Sequence, residues 1–395
     1  MKKAYITGAT GAIGMALVGE LLKNGISTTV FLRKDSGRND RVKDSFSGEL
    51  ASGLLRIEYV SLEELSGYPA KKDAQDIQAY TSQECILQSH APQSHVLQEC
   101  ILQSHAPQSH VLQECVLQSY EPQSYASQES ASQSYTQHNI SRKISGITDT
   151  AVFYHLGWSG TFGEQRNDAG MQQKNVEYTL DAVRLAMHLG CTHFIGAGSQ
   201  AEYGRFEGRL TPDTRTLPEN EYGRAKLAAG IRSAELCREL GLRHSWVRVL
   251  SVYGPFDGRN TMIMSVIRGL LSGERVALTK GEQIWNYLYS GDAARALFML
   301  GASSLSVQSR TYCLAGEAEG ELREYILRLC RAAGADESLL GFGEIPYGSA
   351  QVMYLTADIN RLWQDVGFVP ETTFDDGIKK TIEWVRAYGI PLYGY

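Results

Sequence analysis

This chain is short of the features that would set it apart from ordinary globular proteins. Of its 395 residues only 10 are proline and 7 are cysteine, and 44 acidic side chains nearly balance 38 basic ones, for a formal net charge of −6. With 43% hydrophobic and 21% charged residues, collagen, coiled coil and a wholly disordered chain are excluded. Mild acidity supplies no basic field for nucleic acid and no polybasic anchor for a membrane. No run of about 18 apolar residues exists, so no transmembrane helix is expected. The apolar stretch from Met1 to Leu22 imitates a signal peptide but is broken by Gly8, Gly11, Gly14 and Glu20. The cysteines are too scattered for a disulfide framework. Cys85, Cys100 and Cys115 belong to a repeat, while Cys191, Cys237, Cys313 and Cys330 stand among apolar neighbours. They read as reduced thiols of a cytoplasmic protein.

What is there begins with that repeat. Gln recurs at every fifth position from Gln83 to Gln133, and the block starting at Glu84 is copied identically from Glu99 and loosely from Glu114. A period of five fits neither helix nor strand, and Pro92, Pro107 and Pro122 would interrupt both. Residues 73–146 therefore read as a low-complexity, disordered insertion. His90, His95, His105, His110 and the three cysteines there suggest metal ligands, but copying by duplication explains them without any ligation.

Around the insertion strands alternate with helices. Strands are expected at Lys3–Thr7, Thr28–Leu32, Ala151–Leu156, His193–Gly196 and Ser245–Leu250. Helices are expected at Ala12–Lys23, Lys174–Leu189 and Tyr222–Leu240, ended by Gly25, Gly190 and Gly241. This pattern predicts an α/β fold, a doubly wound parallel sheet covered by helices. Residues 1–254 form its nucleotide-binding part and 255–395, richer in loops, mainly a smaller substrate-binding region.

Thr7-Gly8-Ala9-Thr10-Gly11-Ala12-Ile13-Gly14 joins the first strand to the first helix. Gly8 allows a tight turn, Gly11 lets a pyrophosphate approach the backbone, and Gly14 allows close packing of helix on strand. After the second strand comes Arg33-Lys34-Asp35, with Arg38 following. A cation there suits the extra phosphate of NADP and an acid the ribose of NAD, so Arg33 favours NADP while Asp35 leaves NAD open.

Tyr222 and Lys226 lie four residues apart, on one face of a helix. An ammonium beside a phenol stabilises the phenolate, which makes Tyr222 an expected acid or base near neutral pH. Ser199, 23 residues earlier, follows a strand at the edge where open α/β sheets bind ligands.

With these residues in view, the chain resembles the extended short-chain dehydrogenase/reductase family, in its nucleotide-sugar epimerase/dehydratase branch. The resemblance covers nearly everything but the insertion. It rests on TGATGAIG from Thr7, FYHLGW from Phe153, Asn175, GSQAEYG from Gly198, the Tyr222/Lys226 pair, RVLSVYGP from Arg248 and VGFVPETTFDDGIKKTIEW from Val366. It implies a Rossmann-like fold and Ser199, Tyr222 and Lys226 as the catalytic set, with Tyr222 exchanging a proton at sugar C4. It further implies NADP or NAD on Gly8, Thr10, Gly11, Ile13, Gly14, Arg33, Leu156 and Lys226. A nucleotide sugar would then meet Trp158, Ser199, Ser251 and Trp285. A homodimer through the helices around Asn175 and Tyr222 is a further expectation of the same kind.

The departures from the family narrow the reaction. Sugar 4,6-dehydratases of the family carry Asp-Glu directly after the serine, where this chain has Gln200-Ala201, with Glu202 one place further and expected to face elsewhere. Dehydration is thereby disfavoured, leaving epimerisation or 4-keto reduction. Near residue 285 the family has an arginine for the nucleotide diphosphate. Here Trp285 stands instead, so that Arg259, Arg268 or Lys280 would substitute, or Trp285 would stack on a base or sugar. Ser251 stands where many relatives carry Asn. His155 reads as a packed residue, and Tyr388, Tyr393 and Tyr395 as packing or a frayed tail. The rival reading is a non-catalytic dinucleotide sensor or scaffold with the repeat as its interaction segment. Deleting residues 83–133 is expected to leave solubility and turnover intact, and loss of soluble protein on that deletion would defeat the insertion reading.

Overall fold

The computed structural model describes residues 1–68, 150–349 and 351–388. The repeat, its cysteines and histidines, the whole 73–146 insertion and Tyr393 and Tyr395 lie outside the described residues. Seven parallel strands form the main sheet: β1 (Lys3–Thr7), β2 (Ser27–Leu32), β3 (Leu55–Tyr59), β4 (Ala151–His155), β5 (Cys191–Ser199), β6 (Arg243–Val249) and β7 (Ser309–Leu314). Their spatial order is β7-β6-β5-β4-β1-β2-β3. The expected Rossmann-like, doubly wound architecture is thus present.

The strands are apolar on both faces because helices cover both. Along β4, Val152 and Tyr154 join one core cluster and Ala151 and Phe153 another. The first cluster packs under α1 (Ala12–Lys23) and, further along the chain, α5 (Ser290–Ala302). The second packs under α2 (Ala169–His188), which lies against α3 (Glu221–Glu239). Between α3 and α5 comes α4 (Met262–Leu271), and after α5 come α6 (Leu322–Ala333) and α7 (Phe374–Tyr388). These last elements build a separate apolar cluster around Tyr253, Ile267, Leu329 and Ile378.

Most expected elements appear with shifts of one to three residues, and α2 starts five residues earlier than its apolar pattern suggests because Asp168 caps it, its carboxylate accepting from Met171 N. Two strands of the main sheet were not read from the sequence, Leu55–Tyr59 and Ser309–Leu314. Both lie at sheet edges, where fewer apolar side chains are required. The second, together with α5, continues the main sheet and its helix layer past residue 254, so residues 255–395 do not all lie outside that sheet.

The turn from β1 to α1 shows why its glycines stand where they do. Gly8 has φ +76°, and a Cβ on it would lie 2.6 Å from Gly157 N. A Cβ on Gly14 would lie 2.2 Å from the Gly8 carbonyl oxygen. Gly14→Ala is expected to cost about 1–3 kcal/mol by overpacking and to lower Tm in a thermal melt. An unchanged Tm would show that helix α1 can move away from the turn at no cost.

Candidate active site

All strand carboxyl ends lie on one edge, and the order reverses between β1 and β4, which is where open α/β sheets open a crevice. A cleft of about 360 Å³ lies there, lined by Gly8, Gly11, Ile13, Gly14, Leu156 and Ala197. A Cβ on Gly11 would meet nothing within 4 Å, so the backbone at this point faces open space. Thr10 contributes its carbonyl, which accepts from Arg41 Nη1 at 3.1 Å. Arg33 is exposed, and the cations on the cleft wall are Arg38, Arg41 and Arg259. Arg41, not singled out in the sequence, has no local signal there: only the folded loop brings it across to Thr10 and to the Phe256 carbonyl.

Beside this cleft the structure brings Trp158, Ser199, Tyr222 and Lys226 together. Ser199 ends β5, and its backbone N–H donates to Glu202 Oε1 at 2.8 Å. Tyr222 opens α3, where Asn220 caps the helix by accepting from Gly223 N. Gly223 has no room for a Cβ, which would lie 2.3 Å from the Ala201 carbonyl oxygen. That close approach sets the phenol near Ser199, whose side chain acts to lower its pKa. One turn on, Lys226 is 4% exposed. Its Nζ donates to the Ala197 carbonyl at 2.6 Å and sits 3.7 Å above the Trp158 ring. Trp158 in turn packs edge-on to Tyr222, at 6.1 Å between ring centroids.

Glu202 is the side chain that the sequence placed least securely. It is fully buried, and besides the Ser199 amide it accepts from Trp246 Nε1 at 3.0 Å and Arg248 Nε at 2.7 Å. It therefore faces the interior as a structural carboxylate. His155 is likewise a packing residue. Thr7 Oγ1 and Thr179 Oγ1 hold its two ring nitrogens at 2.9 and 3.2 Å, and burial followed by the Lys226 charge pushes its pKa down to about 3, keeping it neutral. Trp285 and Ser251, the two departures noted above, prove to be partners: Trp285 Nε1 donates to Ser251 Oγ at 2.5 Å.

The protonation of the site differs from the expectation of a phenol lowered by its lysine. Burial raises the Tyr222 pKa above its ordinary value, with the Ser199 hydrogen bond and the Arg166 charge opposing and the Glu202 charge assisting. Burial also pushes Lys226 down to about 7, against the opposing charge of Glu202. The physical reason is shared: both groups sit in an interior that penalises charge. Arg166 and Gln172 were missed in the sequence. Arg166 Cζ stands 4.5 Å over the Tyr222 ring, and nothing in the local pattern of residues 163–167 announces it.

A lysine with a lowered pKa in the folded chain contributes stability that is present above the unfolded lysine's titration and lost as pH falls through about 7. Lys226→Met removes this titration. Its melting temperature is expected to exceed that of the parent by more at about pH 6 than at about pH 9. A gap that does not vary with pH would show that the ammonium is not held in a low-dielectric setting.

Known proteins resemble this chain in sequence and in fold. Residues 126–335 match the model of the NAD dependent epimerase/dehydratase family. An uncharacterized 37.6 kDa protein of the cld 5′ region of Escherichia coli O111:H− is 24% identical over 241 residues, covering 56% of this chain and 71% of that protein. A dTDP-glucose 4,6-dehydratase of Escherichia coli is 28% identical over 185 residues, 44% of this chain. The chain spans about half the length of that dehydratase, 51%. Among solved structures, a UDP-glucuronic acid 4-epimerase from Bacillus cereus in complex with NAD has a TM-score of 0.68 at 16% identity, over 98% of this chain and 97% of its own, which speaks for the fold. No helix among the described residues is long and apolar enough to cross a membrane.

Proposed function

The chain belongs to the NAD dependent epimerase/dehydratase family, and with that as premise we propose a cytoplasmic enzyme that moves a hydride at C4 of a nucleotide-activated sugar. It acts as an epimerase or as a 4-ketoreductase, with Tyr222 as acid and base. The observation that carries this reading is the clustering of Tyr222, Lys226 and Trp158 at the end of the strand that Ser199 closes, next to the glycine-lined cleft.

A nicotinamide dinucleotide, when bound, accepts and returns the hydride. Gly8, Gly11 and Gly14 with Thr10, Ile13 and Leu156 would hold it, and the open space at Gly11 fits a pyrophosphate against backbone N–H groups. Arg38 and Arg41 on the cleft wall support NADP, and they take over the part first given to Arg33. Lys226 would face the nicotinamide ribose. Ser199 holds the reacting oxygen, and Tyr222 exchanges its proton. A protonated phenol can deliver a proton to a carbonyl oxygen, a step that epimerisation and reduction share.

Dehydration asks for an acid and a base directly after the serine. Gln200 and Ala201 are neither, and both oxygens of Glu202 are engaged in the interior. The dehydratases among the relatives speak for the other outcome, and the case against it rests on these three positions. Trp158, Ser251 and Trp285 are proposed to shape the sugar side of the pocket, and two copies to pair through α2 and α3. Retention of Ser199, Tyr222 and Lys226 argues against a non-catalytic sensor.

Tyr222→Phe is expected to lower turnover of a nucleotide sugar by about 100-fold or more. Undiminished turnover would remove the acid–base assignment and favour the sensor reading. Mass analysis of dinucleotide released from denatured protein separates the two reactions. Retained NAD⁺ speaks for an epimerase that recycles its hydride, and an empty site that prefers NADPH over NADH for a reductase.

A further inference from the structure

The loop between β4 and α2 is tied down by one side chain. Gln172 is buried, and its Oε1 accepts from Trp158 Nε1 at 2.9 Å. Its Nε2 donates to the carbonyls of Gly160 and Gln165 at 2.8 and 2.9 Å. Every polar atom of that amide is thereby used, and the loop is fixed at its start, middle and end. The end is the one-turn helix Gly163–Asn167, which carries Arg166 to the face of Tyr222.

Arg166 is half-buried, and no carboxylate lies within ion-pair distance of it among the described residues. Of the nearby acids, Glu164 is exposed and Asp168 is committed to the cap of α2. A guanidinium does not deprotonate in proteins, so its charge is constant, whereas a buried ammonium sheds its proton readily. Lys226 stands further off, 5.9 Å from the Tyr222 ring centroid against 4.5 Å for Arg166. Its ammonium is turned to Ala197 O and to the Trp158 ring. The groups acting on the phenol are then the Ser199 hydroxyl, the Glu202 carboxylate, Lys226 and Arg166, and only Arg166 carries a positive charge that pH does not remove.

We propose that Arg166 is a positioning residue that acts through Tyr222, its guanidinium over the ring supplying the permanent positive charge that stabilises the phenolate. The proposal deepens the reading of Tyr222 as acid and base and rests on it. Gln172 serves the same end by holding the loop.

The test is a pH titration of tyrosinate absorbance on the full chain, with the Tyr222→Phe variant subtracted to isolate one phenol. In Arg166→Gln, with its own Tyr222→Phe control, the midpoint of the isolated phenol is expected to rise by about one pH unit, with Arg166→Lys falling between it and the parent. An unmoved midpoint in a variant that keeps its near-ultraviolet circular dichroism overturns the proposal. So does an unmoved midpoint joined to weaker binding of UDP or dTDP, which would make Arg166 an anion-binding residue instead. Should Arg166→Gln fail to fold, Arg166→Lys is the second variant, and a midpoint no higher than the parent's overturns the proposal. Failure of the underlying reading is read separately: an active Tyr222→Phe variant removes Tyr222 from the chemistry whatever its titration shows.

Discussion

The buried carboxylate of Glu202 is the constraint on which the site depends. It accepts hydrogen bonds from the Ser199 amide, the Trp246 indole and the Arg248 guanidinium, and so joins the end of β5 to β6. A charge in this position is tolerable only because it is paired and its lone pairs are met; removing the arginine alone would leave an uncompensated buried carboxylate, a loss of about 3–5 kcal/mol. The pairing fixes the direction in which the chain leaves the sheet after Ser199. From that direction follow the short turn Gln200–Glu202 and the close approach of Ala201 to Gly223, the residue after Tyr222.

The same node is reached from the far side of the sheet by a row of stacked rings. Tyr5, Phe31, Phe153, Phe194, His244 and Trp246 cross the strands on one face, neighbours lying 5.9 to 6.4 Å apart. Large flat side chains in a row keep the sheet regular and exclude water beneath α2 and α3. The last ring, Trp246, fits because Gly196, Gly198 and Gly230 leave it space that any Cβ would take. Packing on the sheet face and hydrogen bonding at the sheet edge are thus one structure, and Lys226 is buried as a consequence.

The two substrate-side departures, Ser251 and Trp285, are explained jointly. Trp285 carries an indole N–H that needs a partner, and the short side chain of Ser251 provides it. Trp285 also touches both apolar clusters, on the sheet and around α6 and α7, so it serves as packing between them as well as a wall. Of Arg259, Arg268 and Lys280, the cations that the sequence offered in place of an arginine at 285, Arg259 lines the cleft, which Arg38 and Arg41 also line.

Local pattern determined much by itself. Apolar alternation and glycine stops gave most strands and helices of the sheet, the glycine turn gave the cleft, and the four-residue spacing of Tyr222 and Lys226 gave their common face, because each depends only on neighbours a few positions away. Tertiary structure alone decided the rest. Arg166 reaches Tyr222, Arg41 reaches Thr10 and Trp285 reaches Ser251 across 56, 31 and 34 residues of chain. Whether Tyr222 and Lys226 are raised or lowered was equally beyond the sequence, since both shifts come from burial. Burial belongs to the packed interior, and no spacing of residues along the chain expresses it.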